Sequence, residues 1–225
     1  MSWITKTLSS TIGRKVLMAL TGLFLCSFLV VHLSGNFQML MSDGGLQFNA
    51  YAKFMTSFPL VKFISYGLYA CILLHAIDGF MLMAANRKAR PVGYKMVDGA
   101  ANSSWASRNM GLLGSLILIF IVVHMKNFWY EMHWGDIGID AQGNRDLYTV
   151  TKVAFEKWWY VVFYVFSMVV LAFHLMHGFQ SAFQTMGINH KKYTPFIKVI
   201  GNLFSIVICI AYAAIPLIMF FNSLS

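Results

Sequence analysis

Charge is scarce in this chain of 225 residues: charged side chains make up 11% of it, and acids number only 8. A soluble domain carries roughly twice that charged fraction. The shortage excludes a soluble globular enzyme, and the 58% of hydrophobic residues excludes a disordered chain. Proline is rare, at 4 residues, and no polar tract or self-similar period recurs. Linkers, low-complexity segments and a solenoid are therefore not expected. The 3 cysteines, Cys26, Cys71 and Cys209, are odd in number and all lie in apolar stretches, so they read as small packing residues rather than a disulfide framework. Few acids leave a net charge of +9. In a soluble protein that surplus would point to nucleic acid. Here the bases sit between apolar runs, where they set topology, and no nucleic-acid partner is expected.

What the chain has instead is five long apolar runs, at residues 16–33, 63–85, 110–125 (extendable to 130), 158–183 and 199–221. A bilayer takes about 20 helical residues to cross, and the runs lack the alternation that a membrane strand needs. They predict an all-α fold: one domain over residues 1–225, an integral membrane bundle of five transmembrane helices in contact with lipid. The first run is too long for a signal-peptide core and no small-x-small site follows it. Lys6, Arg14 and Lys15 precede run one. Arg87, Lys88, Arg90, Lys95 and Arg108, against Asp98, separate runs two and three. Lys191, Lys192 and Lys198 lie between four and five. The other connections are poorer in net base. By the positive-inside rule the N terminus is cytoplasmic and the C terminus outside. Trp129, Tyr130, Trp134, Trp158 and Trp159 mark the outer boundary as an aromatic belt. Residues 131–150 read as the only sizeable piece outside the membrane, an exposed loop with a short surface helix.

Four of the five runs carry a histidine in their apolar interior: His32, His75, His124 and His174. One such residue could be a packed, hydrogen-bonded core histidine, but one in each of four successive spans points to function. They lie 17, 11, 15 and 10 residues from the inner boundaries at Lys15, Asn86, Asn109 and Gln184. At the helical rise these are levels of roughly 25, 16, 22 and 15 Å. His32 and His124 thus share an outer level, and His75 and His174 an inner one. In an up-down bundle spans one and three are diagonal, as are two and four, so each pair can meet across the core. Facing imidazoles at one depth suit bis-imidazole ligation of a haem, which favours electron transfer over oxygen chemistry. Zinc, the competing metal, needs three or four ligands at one level, and this spacing does not provide them. No Cys-x-x-Cys-His is present, which excludes covalent haem attachment. Gly22, Gly67, Gly79, Gly111, Gly114 and Gly178 lie on the same spans and either make room for a flat macrocycle or let helices approach.

With those four histidines in place, the chain resembles the cytochrome b membrane-anchor subunit of succinate dehydrogenase/fumarate reductase, of the single-subunit, five-helix, di-haem type. The resemblance covers nearly the whole chain. Its carriers are Val31-His32-Leu33 after segment 14–22, Leu74-His75-Ala76, Val123-His124-Met125, and Phe173-His174-Leu175-Met176-His177-Gly178-Phe179 leading into Ser181. The last is the most specific and resembles the family's Phe-His-x-x-x-Gly pattern.

The resemblance implies two haem b groups, with iron held by His32 and His124 at the distal site and by His75 and His174 at the proximal site. It implies a flavoprotein subunit and an iron–sulfur subunit docked on the cytoplasmic side, menaquinone as the quinone partner, and the cell inner (cytoplasmic) membrane as location. The chain would be one half-reaction of a complex, with no catalytic residue of its own. Two rivals stand beside this reading. The anchor of another respiratory dehydrogenase or hydrogenase would dock its partner on the outer side. A proton-coupled transporter using the membrane histidines and Asp78 would show broken helices and an internal repeat.

Other residues divide between site and scaffold. The family pattern favours His174 over His177 as ligand. Asp78, one turn after His75, either joins proton movement or pairs with a base at the inner interface. Arg14 and Lys15 either neutralise propionates or only set topology. His133 and His190 read as solvated. By analogy alone, Asn36, Gln38, Lys126, Asn127 and Trp129 are candidates for the quinone site.

Overall fold

The computed structural model describes residues 10–89 and 103–224; Lys6, Arg90, Lys95 and Asp98 of the topology argument lie outside them. Among the described residues the chain is helical, with no β-strand and an isolated bridge between Ile139 and Arg145. The long elements are α1 (Thr11–Asn36), α2 (Leu46–Ser57), α3 (Pro59–Lys88), α4 (Met110–His124), α5 (Leu147–Phe155), α6 (Trp158–Thr185) and α7 (Thr194–Leu224). A 3-10 turn, Phe37–Leu40, prolongs α1. Wider π-type turns, Met125–Tyr130, and a short helix, Glu131–Trp134, prolong α4. Five of the resulting spans are long and apolar enough to cross a membrane: Thr11–Leu40, Pro59–Lys88, Met110–Trp134, Trp158–Thr185 and Thr194–Leu224. The chain is a multi-pass membrane protein.

These spans overrun the apolar runs because caps, not hydropathy, end a helix. Ser10 starts α1 by accepting a hydrogen bond from the Gly13 N–H at 3.0 Å. Pro59 opens α3, where a missing N–H costs nothing, and Arg87 and Lys88 close it against the helix dipole. Pro216 sits inside α7 and is buried.

Packing joins α1 to α3, α3 to α4, α4 to α6 and α6 back to α1, with α7 laid along α6 and α1. In this four-helix ring α1 and α4 are diagonal, as are α3 and α6. Many large apolar side chains stay exposed on its outside, among them Ile12, Phe63, Leu73, Val122 and Ile210, as lipid contact requires. The main buried cluster gathers Leu33, Phe48, Phe128, Phe155, Tyr160 and Tyr164 near one end, the loop-rich end.

The structure corrects one expectation here. Residues 131–150 are not the only sizeable piece beyond the spans, because α2 occupies the first connection. Gly44 and Gly45, with φ of 68° and 86°, turn the chain into α2, and the Asp43 carboxylate accepts from the N–H groups of Gly45 and Gln47 at 2.9 and 2.8 Å. α2 docks on α5 through Asn49, which is fully buried. Its amide donates to Asp146 at 3.0 Å, and its carbonyl oxygen accepts from the Tyr148 N–H at 2.9 Å. The two short helices form a cap over the loop-rich end.

Candidate metal centres

The diagonals of the ring bring the four span histidines together in two pairs. His32 on α1 and His124 on α4 lie with ring centroids 5.8 Å apart. His75 on α3 and His174 on α6 lie 6.2 Å apart. All four rings are half-buried.

The levels can be measured along a single helix. Thr21 of α1 touches His75, so α1 passes the second pair about 16 Å before it reaches His32. Tyr164 of α6 touches His124, so α6 passes the first pair about 15 Å before it reaches His174. Two independent helices thus put the levels about 15 Å apart, close to twice the spacing that the boundary counts gave. The counts erred because the chosen boundary residues do not share a plane: α1 begins at Thr11, ahead of Lys15, and α3 runs past Asn86 to Lys88. The grouping into pairs is unaffected by that error.

Aromatic rings wall the pair at the loop-rich end. Phe28 stacks on His32 at 5.1 Å, Tyr212 approaches it at 6.0 Å, and Phe120 and Phe128 stand 5.6 and 5.4 Å from His124. His124 Nδ1 is 3.1 Å from the Tyr164 hydroxyl, which continues at 3.2 Å to Tyr160, whose hydroxyl accepts from the Asn127 amide at 2.8 Å. Tyr212 donates to the Leu29 carbonyl at 2.6 Å. The second pair has a leaner wall. His75 Nδ1 is 3.1 Å from Thr21 Oγ1. A methyl group on Gly22 would stand 3.2 Å from His75 Cε1, and one on Gly114 would stand 3.9 Å from His174 Cε1. His174 Nδ1 is buried without a hydrogen-bond partner.

This donor set accepts a bis-imidazole metal. Two ring nitrogens on opposite sides of one ion, each about 2 Å from it, put the ring centroids about 6 Å apart, which both pairs match. Among the described residues no three His, Cys, Asp or Glu side chains cluster as a metal site. Each pair therefore offers two nitrogens and leaves the remaining coordination to a non-protein ligand, as an iron porphyrin supplies. Zinc held by protein alone does not fit.

The remaining candidates separate. The ring facing His75 belongs to His174, and His177 is half-buried one turn away. Asp78 is buried, its Oδ2 has no hydrogen-bond partner, and it lies in the electrostatic field of Arg14. His133 is exposed and bonded to the Trp129 carbonyl at 2.7 Å, and His190 is exposed in its turn. Lys126 pairs with Glu131 at 2.8 Å, and Trp129 donates to the Tyr69 hydroxyl at 2.7 Å. With Asn36, Gln38 and Asn127, neither lines the cavity of about 330 Å³ at the loop-rich end, whose wall includes Lys53, Thr56, His133 and Arg145. Thr21, Tyr164 and Tyr212 escaped the reading of the sequence. Their signal is a hydroxyl at the level of a histidine on a neighbouring helix, which is visible only once the packing order is known. Comparisons of the chain with family models, curated proteins and solved structures give no match.

Proposed function

We propose that this chain is a di-haem cytochrome b membrane anchor that carries electrons between an iron–sulfur partner and a quinone. The observation that supports this best is the pair of facing imidazole couples, 5.8 and 6.2 Å between centroids, stacked at two levels of one helical ring. His75 and His174 would hold the proximal haem, and His32 and His124 the distal one. Haem b, when bound, supplies one-electron exchange between ferric and ferrous iron.

The chain's own work is to hold and insulate. Neutral imidazoles add no charge to the membrane interior, where charge is costly. Phe28, Phe120 and Phe128 exclude water from the distal level. Tyr164 and Thr21 fix the orientation of one ligand at each level.

In the finer reading the N terminus is cytoplasmic, the C terminus is outside, and the membrane is the cell inner membrane. The complex is a succinate dehydrogenase/fumarate reductase that uses menaquinone. Its flavoprotein and iron–sulfur subunits dock on the cytoplasmic side, at the end away from α2 and α5.

The test is the full-length chain purified with whatever copurifies, its reduced-minus-oxidised spectrum, a haemochrome assay and a succinate-to-quinone assay. Two b haems per chain are expected, with His75→Ala and His174→Ala each removing the proximal one while the distal one survives. A preparation without a reduced b band would refute the reading and favour a transporter. A catalytic partner on the outer face would favour the anchor of another dehydrogenase or hydrogenase.

A further inference from the structure

We infer that Thr21 is a positioning residue that locks His75 in the tautomer with its proton on Nδ1, which leaves the Nε2 lone pair as the only nitrogen able to bind a metal. The hydrogens at this contact decide the tautomer. The Thr21 hydroxyl has one proton, and its oxygen lies 2.8 Å from the Leu17 carbonyl and 3.1 Å from the Met18 carbonyl of its own helix. Carbonyls only accept, and the 2.8 Å contact to Leu17 is the shortest the hydroxyl makes, so its proton goes there. The same oxygen stands 3.1 Å from His75 Nδ1, and the bond forms only if Nδ1 carries a proton and donates it. Thr21 is buried, so no solvent competes, and the ring lies close against Gly22 of the same helix as Thr21.

The other level lacks this lock. The Tyr164 hydroxyl faces His124 Nδ1 and the Tyr160 hydroxyl, either of which can accept its proton. Turning one O–H reverses the bond to His124. His174 Nδ1 has no partner. Of these three ligands, His75 alone has its metal-binding nitrogen dictated by the protein before any metal arrives. The role in haem binding rests on the proposed function; the tautomer does not.

The experiment compares wild type, Thr21→Val and Thr21→Ser as full-length chains. Thr21→Val keeps the shape and removes the hydroxyl, whereas Thr21→Ser restores it. Three quantities are read: haem per chain, the midpoint potential of each haem, and the rate of haem loss to an excess of apomyoglobin. Partners of ligating histidines typically contribute 10–100-fold to metal affinity. Thr21→Val should therefore lose the proximal haem at least about tenfold faster, at a raised potential, because a ligand that no longer donates a hydrogen bond is a weaker base. The distal haem should not change, and Thr21→Ser should match wild type.

A wild type with two haems and a Thr21→Val variant unchanged in potential and loss rate would overturn the haem role alone. A wild type without haem would overturn the proposed function and this role together. Nitrogen-15 NMR of the haem-free, histidine-labelled chain, with His75→Gln to assign the signal, reads the tautomer directly. A protonated Nδ1 is expected, and a protonated Nε2 would overturn the inference even if Thr21→Val fails to fold.

Discussion

Gly22→Ala sets two opposed effects against each other at one position. In the interior of α1, replacing glycine by alanine gains about 1 kcal/mol of helix propensity, which offsets strain that the methyl brings to the haem-free chain, so its melting temperature should change little. The added methyl would lie 3.2 Å from His75 Cε1, whereas carbon atoms rest at about 3.5–4.0 Å. One of them must yield by a few tenths of an ångström. The backbone of α1 is held by its neighbours, and His75 is tied to Thr21 at 3.1 Å and faces His174 at 6.2 Å. Overpacking of this kind costs about 1–3 kcal/mol. The haem-free ring can shift to relieve part of this cost, whereas a ring bound to iron would bear it in full. That is a loss of affinity between about fivefold and 150-fold.

The assay is haem per chain and haem loss to apomyoglobin, with thermal melting of the haem-free protein alongside. Ser27→Ala serves as the control: it also raises helix propensity in α1, at an exposed residue whose hydroxyl only returns to the Phe24 carbonyl at 2.7 Å. The expected pattern is one haem lost and one kept in Gly22→Ala, and both kept in Ser27→Ala. Equal retention of both haems in Gly22→Ala would refute the claim that His75 is a ligand fixed in this position.

The cap at the loop-rich end gives three further outcomes. Asn49→Leu removes both hydrogen bonds that join α2 to α5 and should cost about 2–3 kcal/mol, read as a lower melting temperature and faster proteolysis in 131–150. Gly45→Ala places a Cβ at φ 86° and against the Tyr148 ring, a left-handed position that costs an L-residue about 1–2 kcal/mol before any clash; hydrogen exchange in α2 should rise while the spans stay protected. At Asp146 burial works upward, but hydrogen bonds from Thr149 and Asn49 outweigh it and hold the carboxyl below its ordinary value; at Asp140 burial is likewise outweighed, by the N–H groups of Asn144 and Gln142. A lowered carboxyl stabilises the fold above the unfolded value, about 3.9, and loses that contribution as pH falls through the folded value. The cap should therefore keep its melting temperature from pH 7 down to about 4 and weaken below that; weakening that begins near pH 6 would contradict this. For sidedness, Gln142→Cys is exposed in the loop. It should react with a membrane-impermeant maleimide in intact cells, and labelling only after lysis would reverse the orientation.

The spans were legible in the sequence because hydropathy is a property of composition, and five long, predominantly apolar runs point to membrane helices. The candidate site was legible for a related reason. A histidine in an apolar helix stands out against its neighbours, and an up-down bundle lets the first span meet the third and the second meet the fourth. Depth was less legible. A count from polar boundary residues assumes that all of them lie in one plane, whereas α1 begins at the Ser10 cap, ahead of Lys15, and α3 runs past Asn86 to Lys88. α2 was illegible because its twelve residues carry Gln47, Asn49 and Lys53 among the apolar ones, and Asn49 is buried only because Asp146 and Tyr148, about a hundred positions away, complete its hydrogen bonds. The same holds for Thr21. Nothing in its own segment distinguishes a threonine that returns a proton to its helix from one that also receives a proton from an imidazole 54 residues on. Ligands announce themselves in a sequence by residue type. The groups that aim them do not, because serine, threonine and tyrosine are common in spans, and only the packing selects the one that matters. The two imidazole pairs are therefore set in the sequence by four histidines. Their orientation is set by hydroxyls that become meaningful only in the assembled ring.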